Sequence, residues 1–277
     1  MKLSIAVADT HALPSAFVVW RGIERSLAKA ADYGFDGIEL ALKQPSEVKP
    51  ARLRRQLADT GLEISCISTG QVFAGLHLMF TDPHPARRRR IRELFRGFID
   101  LASEFSGMVN LGRVRGRLAP WSRAAAEARF IALAQELCDY AAPRGVTLIL
   151  EPVNRYEIDF INSVAEGAAL MRRVDRPNMK LMPDVFHMNI EDPSIGGELA
   201  RHINDIAYVH LADSNRLAPG QGHLDFNDIF SHLKRARYDG WVSVEILPRP
   251  DPDTAARQAA DFLRPRVVAF NRGKTLA

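Results

Sequence analysis

The chain has 277 residues, 47% hydrophobic and 25% charged, with a formal charge of +4. That balance excludes intrinsic disorder, and no apolar run approaches the roughly 18 residues that a membrane-spanning helix requires. The start, MKLSIAVADT, is interrupted at Asp9 before a secretory h-region can form, and Cys66 and Cys138 sit in no paired motif, so free thiols in a reducing cytoplasm are expected.

Eight short apolar segments are predicted as strands, at 3–8, 37–42, 63–68, 108–114, 147–153, 179–186, 206–213 and 242–247. The stretches between them carry helical periodicity, as in GIERSLAKAADYG and AAAEARFIALAQELCDYAAPRG, each ending near Gly or Pro. The loop after the first strand, HALPSAFVVW (11–20), is unusually apolar. Either Phe17 and Trp20 line a pocket there, or Val18, Val19 and Trp20 begin the first helix. A helix from about Pro85 puts Ile91, Leu94, Phe95, Phe98, Ala102 and Phe105 on one face. Arg89, Arg90, Arg92 and Arg96 then point away, with no aromatic residues interleaved. A solvated face is expected rather than a nucleic-acid patch, and the Arg87–Arg90 run is given no role. The last helix is expected to break or kink at Pro265.

Strand and helix alternating eight times imply parallel pairing with crossover helices. The first turn, DTHALPS, lacks the glycines of a nucleotide-binding open sheet. The expected fold is α/β, a single (β/α)8 TIM barrel over residues 1–277, with one domain.

Catalytic groups of such barrels sit at the C-terminal strand ends. Strands five to eight end at Glu151, Asp184, His210 and Glu245. Alternation along each strand puts these on one face, with Ile149, Met182, Tyr208 and Ser243 two residues earlier. Adjacent strands lie about 4.8 Å apart, so four such groups can converge on one ion. Three carboxylates without a cation would repel one another. A divalent metal removes the conflict, and three oxygens with one imidazole suit Mn²⁺, with Co²⁺, Mg²⁺ or Zn²⁺ as alternatives.

Over essentially its whole length the chain resembles the xylose-isomerase-like barrel superfamily of sugar isomerases and epimerases. EPVNRYE, PDVFHMNIED, HLADSNRLAPGQGHLDF and VSVEIL resemble the metal-bearing strand ends of ketose 3-epimerases. STGQ (68–71), GRVRGR (112–117), NRYEIDFIN and DVFHMNIED are similar to 5-keto-L-gluconate epimerases, which interconvert that compound and D-tagaturonate. The resemblance implies metal binding by Glu151, Asp184, His210 and Glu245, with Glu151 and Glu245 also the acid/base pair. It implies substrate contacts from Glu157, His187 and Arg216, and brings in Gln71 of STGQ. The activity implied is epimerisation of a ketose or keto-sugar acid, by proton abstraction and return through a metal-stabilised enediolate. A dehydratase or an aldose–ketose isomerase of the hydroxypyruvate isomerase kind is the alternative. The resemblance also implies a homo-oligomer, a dimer or a tetramer. A three-metal DNA-repair endonuclease would need further ligands, and strands two to four end in Glu39, Ser68 and Asn110 without a histidine. The expected partner is therefore a small sugar or sugar acid, with no nucleic acid and no membrane.

Several residues keep two readings. Glu157 either reaches back to the substrate or pairs with Arg155 at the surface. His187 either polarises a carbonyl oxygen or caps the following helix. Arg216 either binds an oxyanion or is solvated in its loop. In GRVRGR, Arg115 or Arg117 either receives the negative charge of a sugar acid or sugar phosphate, or belongs to a salt-bridged surface loop. Pro183, just before Asp184, leaves the local strand geometry open.

Overall fold

The computed structural model describes residues 1–14, 16–105 and 107–273. Among them eight parallel barrel strands follow the predicted segments: β1 (Lys2–Ala8), β2 (Gly37–Ala41), β3 (Glu63–Ser68), β4 (Met108–Leu111), β5 (Thr147–Leu150), β6 (Met179–Leu181), β7 (Tyr208–Leu211) and β8 (Trp241–Val244). Each pairs with its sequence neighbours, β1 also pairs with β8, and bridges at Leu181–Ile206 and Asp184–His210 join β6 to β7. The expected (β/α)8 barrel is the fold.

Helices such as Ile23–Asp32, Pro85–Ser103 and Phe226–Arg235 form the outer layer. In Pro85–Ser103 the predicted stripe faces the core: Ile91, Phe95, Phe98 and Ala102 are fully buried. Each buried aromatic of this kind contributes about 1.5–3 kcal/mol, and the Phe95 ring meets Phe80 edge-on with centroids 4.9 Å apart. The opposite face is ion-paired, with Arg92 and Arg96 on Glu136 at 2.7 and 3.1 Å. Arg87 bonds Asp82, and Arg88 donates to the carbonyls of Asp82 and Pro83. The last helix, Pro252–Asn271, is unbroken with Pro265 inside it, so the expected break does not occur. Cys66 and Cys138 are free and buried. No helix among the described residues is long and apolar enough to cross a membrane.

Most strands are shorter than predicted, and at β4 and β6 this shapes the site. β4 stops at Leu111, and Arg113–Arg115 forms a single 3-10 turn. β6 stops at Leu181, and the helix Val185–Glu191 begins three residues after Met182. Pro183 therefore needs no strand donor. Met182 N–H bonds the Leu150 carbonyl at 2.8 Å, and the Pro183 carbonyl accepts from His210 N–H at 2.9 Å. Asp184 is thereby the N-cap of that helix, its side chain accepting from Phe186 N–H at 2.9 Å. Below the strand ends Cys66, Ile149, Met182 and Tyr208 pack together inside the barrel. That is the inward phase shared with Glu151, Asp184 and His210.

Candidate active site

The alternation of β5 to β8 brings Glu151, Asp184, His210 and Glu245 together, with one ligand atom from each within 4.8 Å of all the others. His210 Nδ1 lies 3.3 Å from Glu151 Oε1, 3.6 Å from Glu245 Oε2 and 3.8 Å from Asp184 Oδ2. Gly112 permits this packing, because a Cβ there would stand 2.7 Å from Glu151 Oε2 and 3.0 Å from Asn110 Oδ1. Asn110 on β4 donates to Glu151 Oε2 at 3.1 Å.

Three buried carboxylates in one place require compensating charge, and Arg216 and His210 supply it. The Arg216 guanidinium bridges Asp184 and Glu245 while lying between the Phe17 and Phe186 rings, 4.9 and 4.8 Å from their centroids. Its backbone is left-handed, at φ 63°, which a tight turn enforces: Arg216 N–H bonds the Asp213 carbonyl and Leu247 N–H bonds the Arg216 carbonyl, both at 2.8 Å.

The carboxyls respond unequally. Burial pushes Glu245 up to about 8, against the opposing pull of His210 and Arg216. Burial also acts to raise Asp184, but Arg216, His187 and His210 outweigh it and hold that carboxyl near 2. At Glu151 burial is likewise outweighed, here by the hydrogen bond and charge of His210, leaving its pKa below the ordinary value. Burial works against a charged His210, yet Glu39 and Glu245 raise its pKa well above normal. Oxygen donors and one imidazole converging on a point where positive charge is needed fit a divalent cation.

Around this cluster the chain builds a pocket. His187 is 3% exposed, its Nδ1 2.7 Å from Asn154 Nδ2 and its Nε2 4.0 Å from Glu151 Oε1. Burial lowers its pKa, so the ring is neutral near pH 7. Glu157 also lines the pocket, 4.0 Å from His187 Nδ1 and 3.6 Å from Arg113 Nη1. Arg155 instead bonds Glu191 at 2.7 Å, so the expected alternative of an Arg155–Glu157 surface pair is not what forms. Gln71 and Phe17 line it as well, and the Gln71 Oε1 accepts from Leu13 N–H at 2.9 Å, tying the 11–20 loop to the rim. Trp20 turns away to bond Asp253 at 2.7 Å.

The arginine loop corrects the sequence reading. Arg115 is fully buried, and its guanidinium donates to the carbonyls of Phe160, Gly112 and Ile161 at 2.6, 3.0 and 2.7 Å. It braces two loops and, fully buried, does not line the pocket where a substrate anion would sit. Arg117 is exposed, 5.3 Å over the Phe73 ring. The arginine of this loop that lines the pocket is Arg113. The glycines around Gln221 shape a turn, with Gly220 N–H bonding the Asp213 carboxylate at 2.8 Å.

Sequence reading also missed what lies beneath. Glu39 on β2 is fully buried, 2.9 Å from His210 Nε2 and within 3.0 Å of the Tyr208 hydroxyl. The inward phase of β2 was the available signal, since Glu39 precedes Ala41 by two residues.

Residues 27–266 match the xylose isomerase-like TIM barrel family. The chain is 34% identical over 231 residues to the L-ribulose 3-epimerase of Methylomonas sp. (strain DH-1), covering 81% of this chain and 78% of that protein. It is 30% identical over 237 residues to the 2-oxo-tetronate isomerase of Cupriavidus necator, covering 82% of this chain and 87% of that one. Among solved structures, D-allulose 3-epimerase from Methylomonas sp. in complex with D-allulose superposes with a TM-score of 0.82 at 26% identity, over 96% of this chain and 97% of that one.

Proposed function

Because the chain belongs to the xylose isomerase-like TIM barrel family, we propose that it is a divalent-metal-dependent epimerase of keto-sugar acids or ketoses. The observation that carries this is the convergence of Glu151, Asp184, His210 and Glu245, one atom of each within 4.8 Å of the rest. These four would hold the ion, Mn²⁺ before Co²⁺, Mg²⁺ or Zn²⁺. When bound, such an ion stabilises negative charge developing on a carbonyl oxygen and its neighbouring hydroxyl oxygen.

The protein's own groups do the proton work. Glu151 and Glu245 come from β5 and β8, the outer pair of the four strands, and in the metal-free chain their surroundings differ: Glu151 is held ionised, while burial pushes Glu245 up to about 8. Glu151 takes the proton from the carbon beside the carbonyl, and Glu245 returns one on the opposite face. The roles exchange in the reverse reaction. General acid/base catalysis of this kind contributes about 10²–10⁴-fold. His187, neutral and fixed by Asn154, donates toward the substrate oxygen. Arg216 adds fixed positive charge beside the reacting oxygens.

Arg113 and Glu157 form the far rim, where a terminal carboxylate would meet Arg113 and hydroxyls would meet Glu157. This favours an acidic substrate such as the 5-keto-L-gluconate/D-tagaturonate pair. The 30% identity to a 2-oxo-tetronate isomerase supports the same charge class. The test is a panel of ketoses and ketouronates incubated with Mn²⁺ in D₂O beside an EDTA-treated sample, followed by NMR. Epimer formation with one deuterium at the inverted carbon, lost with EDTA, is expected. An aldose product instead would assign an aldose–ketose isomerase, and loss of water a dehydratase.

A further inference from the structure

His210 shows its two ring nitrogens to different surroundings. Nδ1 faces Glu151, Glu245 and Asp184, at 3.3, 3.6 and 3.8 Å. Nε2 faces away, into the barrel, 2.9 Å from Glu39 Oε2. An imidazole ligates through a lone pair, so for an ion to bind, the nitrogen turned to the carboxylates must give up its proton while the other keeps one. We propose that Glu39 is the positioning residue that enforces this: it accepts the Nε2 proton of His210, fixes the ring plane and leaves Nδ1 free for the divalent ion. The inference rests on the reading of the four-residue cluster as a metal site.

Glu39 is itself held. Its Oε2 accepts from the Tyr208 hydroxyl at 3.0 Å, and that hydroxyl lies 2.9 Å from Ser4 Oγ and 2.7 Å from Ser65 Oγ. β1, β2, β3 and β7 thus contribute one residue each to a polar cluster under the site. Glu39, Tyr208, Ser4, Ser65 and His210 are all fully buried. The remaining Glu39 oxygen, Oε1, is buried without a hydrogen-bond partner. An acid placed this way, on the inward face that Ala6, Ala41 and Cys66 share, is costly for packing alone. An imidazole that must be oriented accounts for it. Carboxylates behind metal-bound histidines set tautomer and basicity, and their loss typically costs about 10–100-fold in metal affinity.

The experiment measures Mn²⁺ affinity of the EDTA-stripped full chain by the loss of the free-ion EPR signal, for the wild type, Glu39→Gln, Glu39→Ala and Tyr208→Phe. Glu39→Gln keeps the volume and an acceptor but loses the charge, so the Kd is expected to rise about tenfold; Glu39→Ala is expected to approach 100-fold. Tyr208→Phe should weaken binding less than either. A purely packing role would lower the melting temperatures of the metal-free and Mn²⁺-saturated forms equally and leave the Kd unchanged. Affinities of Glu39→Gln within about threefold of wild type would overturn the proposal, and that variant decides the matter if the alanine variant does not fold. A wild type that takes up no Mn²⁺, Co²⁺, Mg²⁺ or Zn²⁺ would instead remove the metal reading on which the inference stands.

Discussion

Arg113 Nη1 stands 3.6 Å from Glu157 Oε2 across the outer rim of the pocket, with about a quarter of each side chain exposed (25% and 21%). The pair gives the rim a cation that an anionic substrate end can take over. A charge-assisted hydrogen bond of this kind is worth about 1.5–3 kcal/mol, or roughly 10–100-fold in kcat/KM. Arg113→Ala should therefore cut kcat/KM for a ketouronate by that factor and spare a neutral ketose of the same stereochemistry. Equal losses on both substrates would refute a charge-specific role.

The two glutamates make a sharper test of the proton shuttle. Glu151→Gln and Glu245→Gln should each lower epimerisation by about 10²-fold or more. With two bases on opposite faces, each variant keeps one. Glu245→Gln should still exchange the α proton of one epimer with D₂O while forming little of the other, and Glu151→Gln should show the reverse preference. NMR of each epimer incubated separately reads this directly, provided Mn²⁺ binding has been checked for both variants. Epimerisation at the wild-type rate by either one would end the two-base scheme.

The four converging side chains were legible because a strand has period two and barrel strands sit side by side, so position in the chain translates into position at the rim. The arginine loop was not legible for the complementary reason. β4 ends at Leu111, and in the 3-10 turn that follows, neighbouring arginines no longer alternate faces as in a strand. Arg113 goes to the pocket and Arg115 to the interior. Glu39 shows a second limit. Its phase could be read, but its place beneath His210 depends on barrel closure and on a register shift between Ile38 and Glu39 against β3.

Arg115 consequently becomes a stability residue. Burial lowers its pKa to about 10, so it is still charged at neutral pH, and the Phe160 carbonyl depends on it, while the Gly112 and Ile161 carbonyls also accept from Arg115 N–H and Val153 N–H. Each buried acceptor left unpaired costs about 1–3 kcal/mol. Arg115→Met should lose about 1–3 kcal/mol in urea denaturation, yet leave the ratio of activities on acidic and neutral substrates unchanged. A shift in that ratio with stability intact would return Arg115 to the substrate.

Arg216 links stability to the metal. In the metal-free protein its guanidinium contacts both Asp184 and Glu245 and balances the charge of Asp184. Removing one partner of a buried ion pair typically costs about 3–5 kcal/mol. Arg216→Met should be destabilised by that order when stripped with EDTA. Mn²⁺ should recover much of the loss, since the ion supplies the missing charge and no longer competes with the guanidinium; at 100 times its Kd an ion adds about 2.7 kcal/mol. The rise in melting temperature on adding Mn²⁺ should thus be larger in the variant than in the wild type. A smaller rise would mean that Arg216 supports the ion rather than substituting for it.

Away from the site, Asp192 provides a pH test. One of its oxygens accepts from Val164 N–H at 3.1 Å, while Oδ2 is buried without a partner. Burial raises its pKa from 3.8 to about 6, helped by the charges of Glu198, Glu191 and Glu166. A carboxyl whose folded pKa is raised favours the fold when protonated. Its contribution is complete below the unfolded value near 3.8 and is lost as the pH climbs through about 6. Asp192→Asn keeps an acceptor for Val164 and cannot ionise. It should raise the melting temperature relative to wild type at pH 8 and leave it nearly unchanged at pH 4. A gain of equal size at both pH values would mean that packing around Asp192, rather than its buried charge, limits stability there.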